Sequence, residues 1–199
     1  VEVYDPEKNL WTKSTSLNIE RSAFGISEHN GYFYAFGGAS NSGVYTKSIE
    51  KYNPNTDKWT LLNCKMPDSL QSFAIALNSS STYIFGGTKN SPIPEKNVFK
   101  YTPIEIDSPI IQLVNDNTIK WESVEGASGY NVYRKINDGS YTLIAENISL
   151  TEYIDKGQEG DNIYYYVVRS VNEKGVSCPS NEVSIEVPTF PTYKRALLV

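Results

Sequence analysis

Tyr34-Ala35-Phe36-Gly37-Gly38, followed by Tyr52-Asn53-Pro54 and then Trp59, is the stretch on which the fold of the first half turns. Each element returns elsewhere in the chain. Upstream, Tyr4-Asp5-Pro6 with Trp11 keeps the same seven-residue step from Tyr to Trp and lies 48 residues before its counterpart. Downstream, Tyr83-Ile84-Phe85-Gly86-Gly87 stands 49 residues after the first glycine-pair segment, and Tyr101-Thr102-Pro103 repeats the tyrosine element a third time. Self-similarity near 50 residues marks a repeated sheet unit. Within a unit the apolar residues alternate at period two, as in Phe24 and Ile26 and then Tyr32, Tyr34 and Phe36, with turn residues between the runs. That pattern predicts short antiparallel strands.

The residue types have physical roles. A glycine pair ends a strand where positive φ is needed and where a bulky group lies against bare backbone. The Asx-Pro step turns the chain, because proline presets φ and the Asp or Asn side chain bonds the backbone ahead. The Trp that follows opens the next strand and is expected to be buried, covering the glycine surface.

These residues resemble the kelch repeat, over residues 1 to about 103. The resemblance implies four-stranded blades of a β-propeller, with the glycine pair ending the second strand, Tyr-Asp-Pro ending the third and Trp in the fourth. On this chain Arg21 to Trp59, and a few residues beyond, then form one complete blade. Val1 to about Leu17 supplies the last two strands of an earlier blade, and Gln71 to Pro103 the first three of a later one. The third unit departs from the pattern at Ser108, which stands where Trp is expected. About two blades do not close a ring that takes about four to eight. Further blades are expected, before Val1 in preference to another source.

From Pro109 the glycine pairs stop. Ile110–Val114, Thr118–Glu122, Tyr130–Arg134, Tyr141–Ala145, Glu152–Asp155, Ile163–Val171 and Glu182–Val187 read as strands separated by turn clusters such as Asn137-Asp138-Gly139, which predicts a β-sandwich. Trp121, Tyr130-Asn131-Val132-Tyr133-Arg134 and the run Tyr164 to Asn172 followed by Gly175, Ser177 and Ser180 resemble a fibronectin type III domain over residues 109–188. The resemblance makes Trp121 the core tryptophan and Tyr164 the corner tyrosine whose hydroxyl satisfies nearby backbone. No Arg-Gly-Asp lies in the turn Asn172-Glu173-Lys174-Gly175, so integrin binding is not implied. The fold class expected is therefore all-β, with a partial kelch-type propeller at 1–103, a short linker at 104–108, a sandwich at 109–188 and a linker at 189–199 into a further domain.

Composition narrows the chemistry. The 199 residues carry a formal charge of −5 and no basic run, so nucleic acid is not an expected partner. No apolar stretch approaches the roughly 18 residues of a membrane span. Val1-Glu2-Val3-Tyr4 is neither an initiator methionine nor a signal peptide, and the chain reads as part of a longer polypeptide. With one His and two Cys, a zinc site or a Ser-His-Asp nucleophile system would have to be assembled around His29, which sits in the tight-turn sequence His29-Asn30-Gly31 and is expected to be exposed. Catalytic residues, metal ligands and cofactors are therefore not expected. Cys64 and Cys178 fall in different modules and are expected to be unpaired thiols, as in a protein that matures in a reducing cytosol.

In a four-stranded blade the loop between the second and third strands and the loop to the next blade leave at the same end. Here these are residues 39–47, 88–96 and 63–70, and Asn41, Tyr45, Lys89 and Asn90 are the side chains expected to contact a ligand. The expected function is a non-enzymatic recognition or spacer segment of a larger extracellular, cell-surface or particle-borne protein, binding protein or glycan through these loops. Two alternatives stand beside it: a tail-fibre or receptor-binding arm of a phage or phage-tail-like particle, and accessory modules of a secreted carbohydrate-active enzyme.

Overall fold

The computed structural model describes residues 1–89 and 94–188. The chain divides into two compact units, Val1–Pro103 and Ile104–Val199, and the described residues form strands and turns with no helix.

The first unit holds three antiparallel sheets of two, four and three strands. β1 (Glu2–Asp5) pairs with β2 (Leu10–Lys13). β3 (Gly25–His29), β4 (Tyr32–Phe36), β5 (Ser48–Asn53) and β6 (Lys58–Lys65) follow as a meander, and β7 (Ala74–Leu77), β8 (Thr82–Phe85) and β9 (Val98–Tyr101) repeat its first three strands. This is the division into half, whole and three-quarter blades that the repeats predict. The register carries the same 49-residue shift: Ala35 faces Glu50 as Ile84 faces Phe99, and Phe36 faces Ile49 as Phe85 faces Val98.

Strand alternation sorts each sheet into two faces. Tyr34, Phe36 and Ile49 share the face of the four-stranded sheet that turns toward the next one, and with Met66 and Leu70 they pack on Ile75, Ile84, Phe99 and Tyr101. His29 shares that face, so the expectation of an exposed turn histidine is overturned. Its place at the end of β3 puts the ring in line with Gly25 and Ser27, and it is buried between the sheets. Its Nε2 lies 2.8 Å from Thr82 Oγ1, which in turn donates to Ser27 Oγ at 2.8 Å. The tight turn itself is made by Asn30 (φ 52°) and Gly31 (φ 80°).

The glycine pair does take positive φ, 56° at Gly37 and 93° at Gly38. What crowds it is the backbone carbonyls of Leu70 and Ser22 together with Phe24 and Phe73. Trp59 is buried as expected but lies against Tyr52, with ring centroids 5.0 Å apart.

In the second unit the strands are β10 (Ile111–Asn115), β11 (Thr118–Trp121), β12 (Gly129–Ile136), β13 (Thr142–Ile148), β14 (Glu152–Ile154), β15 (Asn162–Asn172), β16 (Gly175–Val176) and β17 (Val183–Val187). β10, β11 and β14 make one sheet and the other five make the second. Between them lie Ile111, Ile119, Trp121, Tyr130, Val132, Tyr164, Tyr166 and Val168. All seven expected strands are present, and β16 is an addition too short to be seen as a run of alternating residues. The Tyr164 hydroxyl accepts from the Glu159 amide at 2.6 Å and donates to the Glu159 carbonyl at 3.1 Å, the backbone role expected of a corner tyrosine.

The expectation of two unpaired thiols is overturned. Neither cysteine is free, and both Cys64 and Cys178 are disulfide-bonded.

Candidate binding face of the blades

Residues 39–47, residues 88–89 and 94–96 and the loop from β6 to β7 gather at one end of the blades, held there by backbone bonds. Gly38 donates its amide to the Leu70 carbonyl at 2.7 Å and Ser72 donates to Ala23 at 2.9 Å. Gln71 and Thr88 exchange both backbone bonds, at 3.1 and 2.9 Å. Residues 39–46 form a compact excursion: Ala39 bridges Tyr45, Ser40 accepts from Gly43 at 2.9 Å and donates to Val44 at 2.9 Å, and Thr46 returns to Gly38 at 3.0 Å. Gly43 supplies the positive φ, 76°, at the tip, and Val44 beside it is exposed.

Of the sequence-predicted residues, Asn41, Tyr45 and Lys89 reach this end, and their side chains are already engaged. Asn41 Nδ2 donates to Glu20 Oε2 at 3.2 Å. The Tyr45 hydroxyl accepts from Gln71 Nε2 at 2.5 Å, which ties the loop of one blade to the first strand position of the next. Lys89 Nζ makes ion pairs with Glu95 at 2.8 Å and Asp68 at 3.0 Å. Hydrogen bonds to these two carboxylates hold its ammonium above the usual lysine range. Asn90 lies outside the described residues.

Glu20, Asp68, Gln71 and Glu95 are the members of this face that the sequence reading missed. Their signal is positional. Gln71 takes the place of Ser22 under the 49-residue shift, and both pair in β-bridges with the residue after the glycine pair, Thr88 and Ala39. Chemically, Lys89 is neutralised by two carboxylates, and the face offers amides, a phenol and carboxylates. Among the described residues no group of three or more His, Cys, Asp or Glu is placed to hold a metal ion.

Two clefts lie elsewhere. One of about 370 Å³, at the opposite end of the blades, is lined by Glu28, His29, Asn30, Leu77, Asn78 and Ser79. The other, about 390 Å³, lies on the sandwich beside Ile110, Gln112, Trp121 and Glu122.

Comparison with known proteins agrees with the repeat. Residues 20–66 match the Kelch motif. Kelch-like protein 23 of Mus musculus is 39% identical over 72 residues, which is 36% of this chain and 13% of that protein. An amylopullulanase of Thermoanaerobacterium saccharolyticum is 33% identical over 76 residues, 38% of this chain and 6% of that protein. The chain thus spans a small part of the length of these curated relatives. Among solved structures, an Fn3-like protein from Clostridium thermocellum is similar at 34% identity over 42% of this chain and 88% of that one, with a TM-score of 0.33. The first unit of the chain carries a Kelch motif, at residues 20–66.

Proposed function

We propose that this chain is a non-enzymatic recognition and spacer segment of a larger multidomain protein, in which the blade loops contact a protein or a cell-surface glycan and a sandwich of the fibronectin type III kind acts as the spacer. The observation that carries this is the convergence of residues 39–47, the β6–β7 loop and the Thr88–Lys89 region at one end of a rigid sheet scaffold. Kelch repeats in the matched relatives support a protein-binding module.

The likeness to an amylopullulanase supports a second reading, in which these modules accompany a carbohydrate-active catalytic domain. A tail-fibre arm assembled in a reducing cytosol is expected to carry free thiols, and two disulfide-bonded cysteines do not favour that reading. They favour an oxidising destination, at the cell surface or outside the cell.

The test is a glycan array and a pull-down from cell-surface extracts, repeated with Asn41→Ala and Val44→Ser, two exposed changes outside the β-ladder. Retained binding in both variants removes the loops as the contact face. Release of reducing sugar from pullulan or starch by this chain alone overturns the non-enzymatic reading.

A further inference from the structure

The cleft between the β3–β4 and β7–β8 turns is built from the same three positions of two successive blades. Glu28, His29 and Asn30 come from one, and Leu77, Asn78 and Ser79, which stand 49 residues on, come from the next. Five of the six are exposed, whereas His29 is 7% exposed, so a buried polar ring meets an open cleft. The ring is also held in one tautomer. Thr82 Oγ1 gives its proton to Ser27 Oγ at 2.8 Å, so the proton between Thr82 and His29, likewise 2.8 Å apart, is carried by Nε2. In the neutral imidazole Nδ1 is then an acceptor.

The other lining residues complete a polar set. Glu28 uses Oε1 to accept from the Gly31 amide at 2.6 Å, and its Oε2 has lone pairs for a ligand hydroxyl. Asn78 Oδ1 accepts from the Ser80 and Ser81 amides at 3.0 and 2.8 Å. Its Nδ2 makes a long bond of 3.5 Å to the Tyr83 hydroxyl and is the donor this side chain has to offer. Ser79 adds a hydroxyl, and Leu77, 50% exposed, adds an apolar surface. None of the six lining residues is Lys or Arg, and the Glu28 carboxylate repels an anion. One carboxylate with one imidazole falls short of the three protein ligands a catalytic zinc takes. The volume, about 370 Å³, is at the small end of ligand sites, which run from roughly 300 to 1,000 Å³.

We infer that this cleft binds a neutral mono- or disaccharide, whose hydroxyls donate to Glu28 and His29 and accept from Asn78 and Ser79 while a C–H face rests on Leu77. The site lies at the end of the blades away from residues 39–47 and is independent of the contact proposed for those loops.

His29 is the only histidine of the chain, so its imidazole resonances report this cleft alone. The test titrates maltose, cellobiose and N-acetylglucosamine to about 50 mM, a range that covers the millimolar affinity expected of a small open site, and follows those resonances by heteronuclear NMR. At least one sugar is expected to shift them saturably. Glu28→Gln and Asn78→Asp are exposed changes that keep the acceptors of the Gly31, Ser80 and Ser81 amides. Each is expected to weaken binding about tenfold with an unchanged thermal midpoint, since one makes a charged hydrogen bond neutral and the other removes a donor. His29 signals that stay fixed with all three sugars overturn the proposal, and so does full-strength binding in both variants. A saturable shift with zinc chloride or sodium phosphate in place of the sugars also overturns it. Shifts of the Gly43 and Val44 amides beside fixed His29 signals leave the loop contact standing and overturn the cleft alone.

Discussion

Arg21 and Glu50 form an ion pair with Nη2 and Oε1 2.6 Å apart and both side chains completely buried, while the residues 49 positions on, Leu70 and Phe99, are apolar. One blade thus closes on a charge pair where the next closes on hydrocarbon. The pair is tolerated because its remaining hydrogen-bonding capacity is used. Glu50 accepts from the Asn18 amide at 2.7 Å, Asn18 Nδ2 at 2.9 Å and the Ile19 amide at 3.2 Å, and Arg21 donates to the Gly37 carbonyl at 2.8 Å and Ser48 Oγ at 2.9 Å. The cluster fastens the segment that enters β3 to the middle of the blade and to the first glycine of the pair.

Glu50→Ala leaves a buried guanidinium without its carboxylate and is expected to destabilise the first unit by about 3 to 5 kcal/mol. The double change Arg21→Leu with Glu50→Phe copies the next blade but leaves the Asn18 and Ile19 amides and the Gly37 carbonyl without these partners, so it is expected to recover only part of that loss. Urea unfolding of the three proteins measures it, and a double variant no more stable than Glu50→Ala contradicts the equivalence of the two blades.

Acid is expected to loosen both units through three carboxylates whose pKa values are depressed in the fold. At Glu50 burial acts to raise the pKa, and the Asn18, Arg21 and Ile19 hydrogen bonds outweigh it. At Asp155 burial is likewise outweighed by the Gly157 amide, Tyr166 and Arg134. Asp57 falls from 3.8 to about 2, held by Ser14, Tyr52 and the Thr15 amide. A lowered folded pKa means that the stabilisation is fully present above the unfolded value and is lost as pH falls through the folded one. For Asp57 that window runs from 3.8 down to about 2. Denaturation midpoints between pH 6 and pH 2 should decline in that range, and Asp57→Asn should flatten the decline; a pH-independent midpoint counts against all three.

The period-two alternation and the 49-residue repeat made the strands and the blade divisions legible, because both signals are local in the chain. Burial of His29 was not legible. Its turn sequence is legible, but the burial of its face of β3 depends on the sheet stacked above, which no local pattern encodes. Residues 39–47 and the β6–β7 loop meet at one end, although β6 runs to Lys65, into the expected 63–70 loop, whereas the ion pairs of Lys89 with Asp68 and Glu95 and the bond from Gln71 to Tyr45 join residues 6 to 26 positions apart and emerge only when the loops meet. The bonded state of Cys64 and Cys178 is not legible either, because no local pattern in the chain encodes a disulfide.

The three tryptophans should separate by environment. Trp59 and Trp121 are buried, and Ala at either is expected to cost about 3 to 5 kcal/mol through lost burial and the cavity left behind. Trp11, on the two-stranded sheet, is 63% exposed, and Trp11→Ala should leave the thermal midpoint nearly unchanged. Iodide quenching gives an independent reading: one accessible tryptophan in the folded chain, removed by Trp11→Ala. Full quenching of all three contradicts the assigned cores.

No thiol should react with Ellman's reagent when the chain is denatured without a reductant, and two should react after reduction, because both cysteines are disulfide-bonded. Two reactive thiols in protein recovered from an oxidising compartment would contradict the disulfide-bonded state of both cysteines.

Gly38 and Gly43 test why the glycine pair is glycine. Both have positive φ, 93° and 76°, so alanine at either is strained by about 1 to 3 kcal/mol. Their surroundings differ. A Cβ at Gly43 meets nothing within 4 Å, whereas one at Gly38 lies 2.7 Å from the Ser22 carbonyl oxygen and 2.8 Å from Phe24 Cβ. The Ser22 carbonyl cannot retreat, since it accepts from the Ala39 amide at 2.9 Å in the bridge that starts the binding loop. Gly43→Ala should therefore report backbone strain alone, and Gly38→Ala strain plus a clash that breaks that bridge. The prediction is a clearly larger loss of stability for Gly38→Ala, together with faster amide exchange at Ser22 and Ala39 that Gly43→Ala does not produce. Equal losses in the two variants would mean that conformation, and not the close approach of Ser22, accounts for glycine at this position.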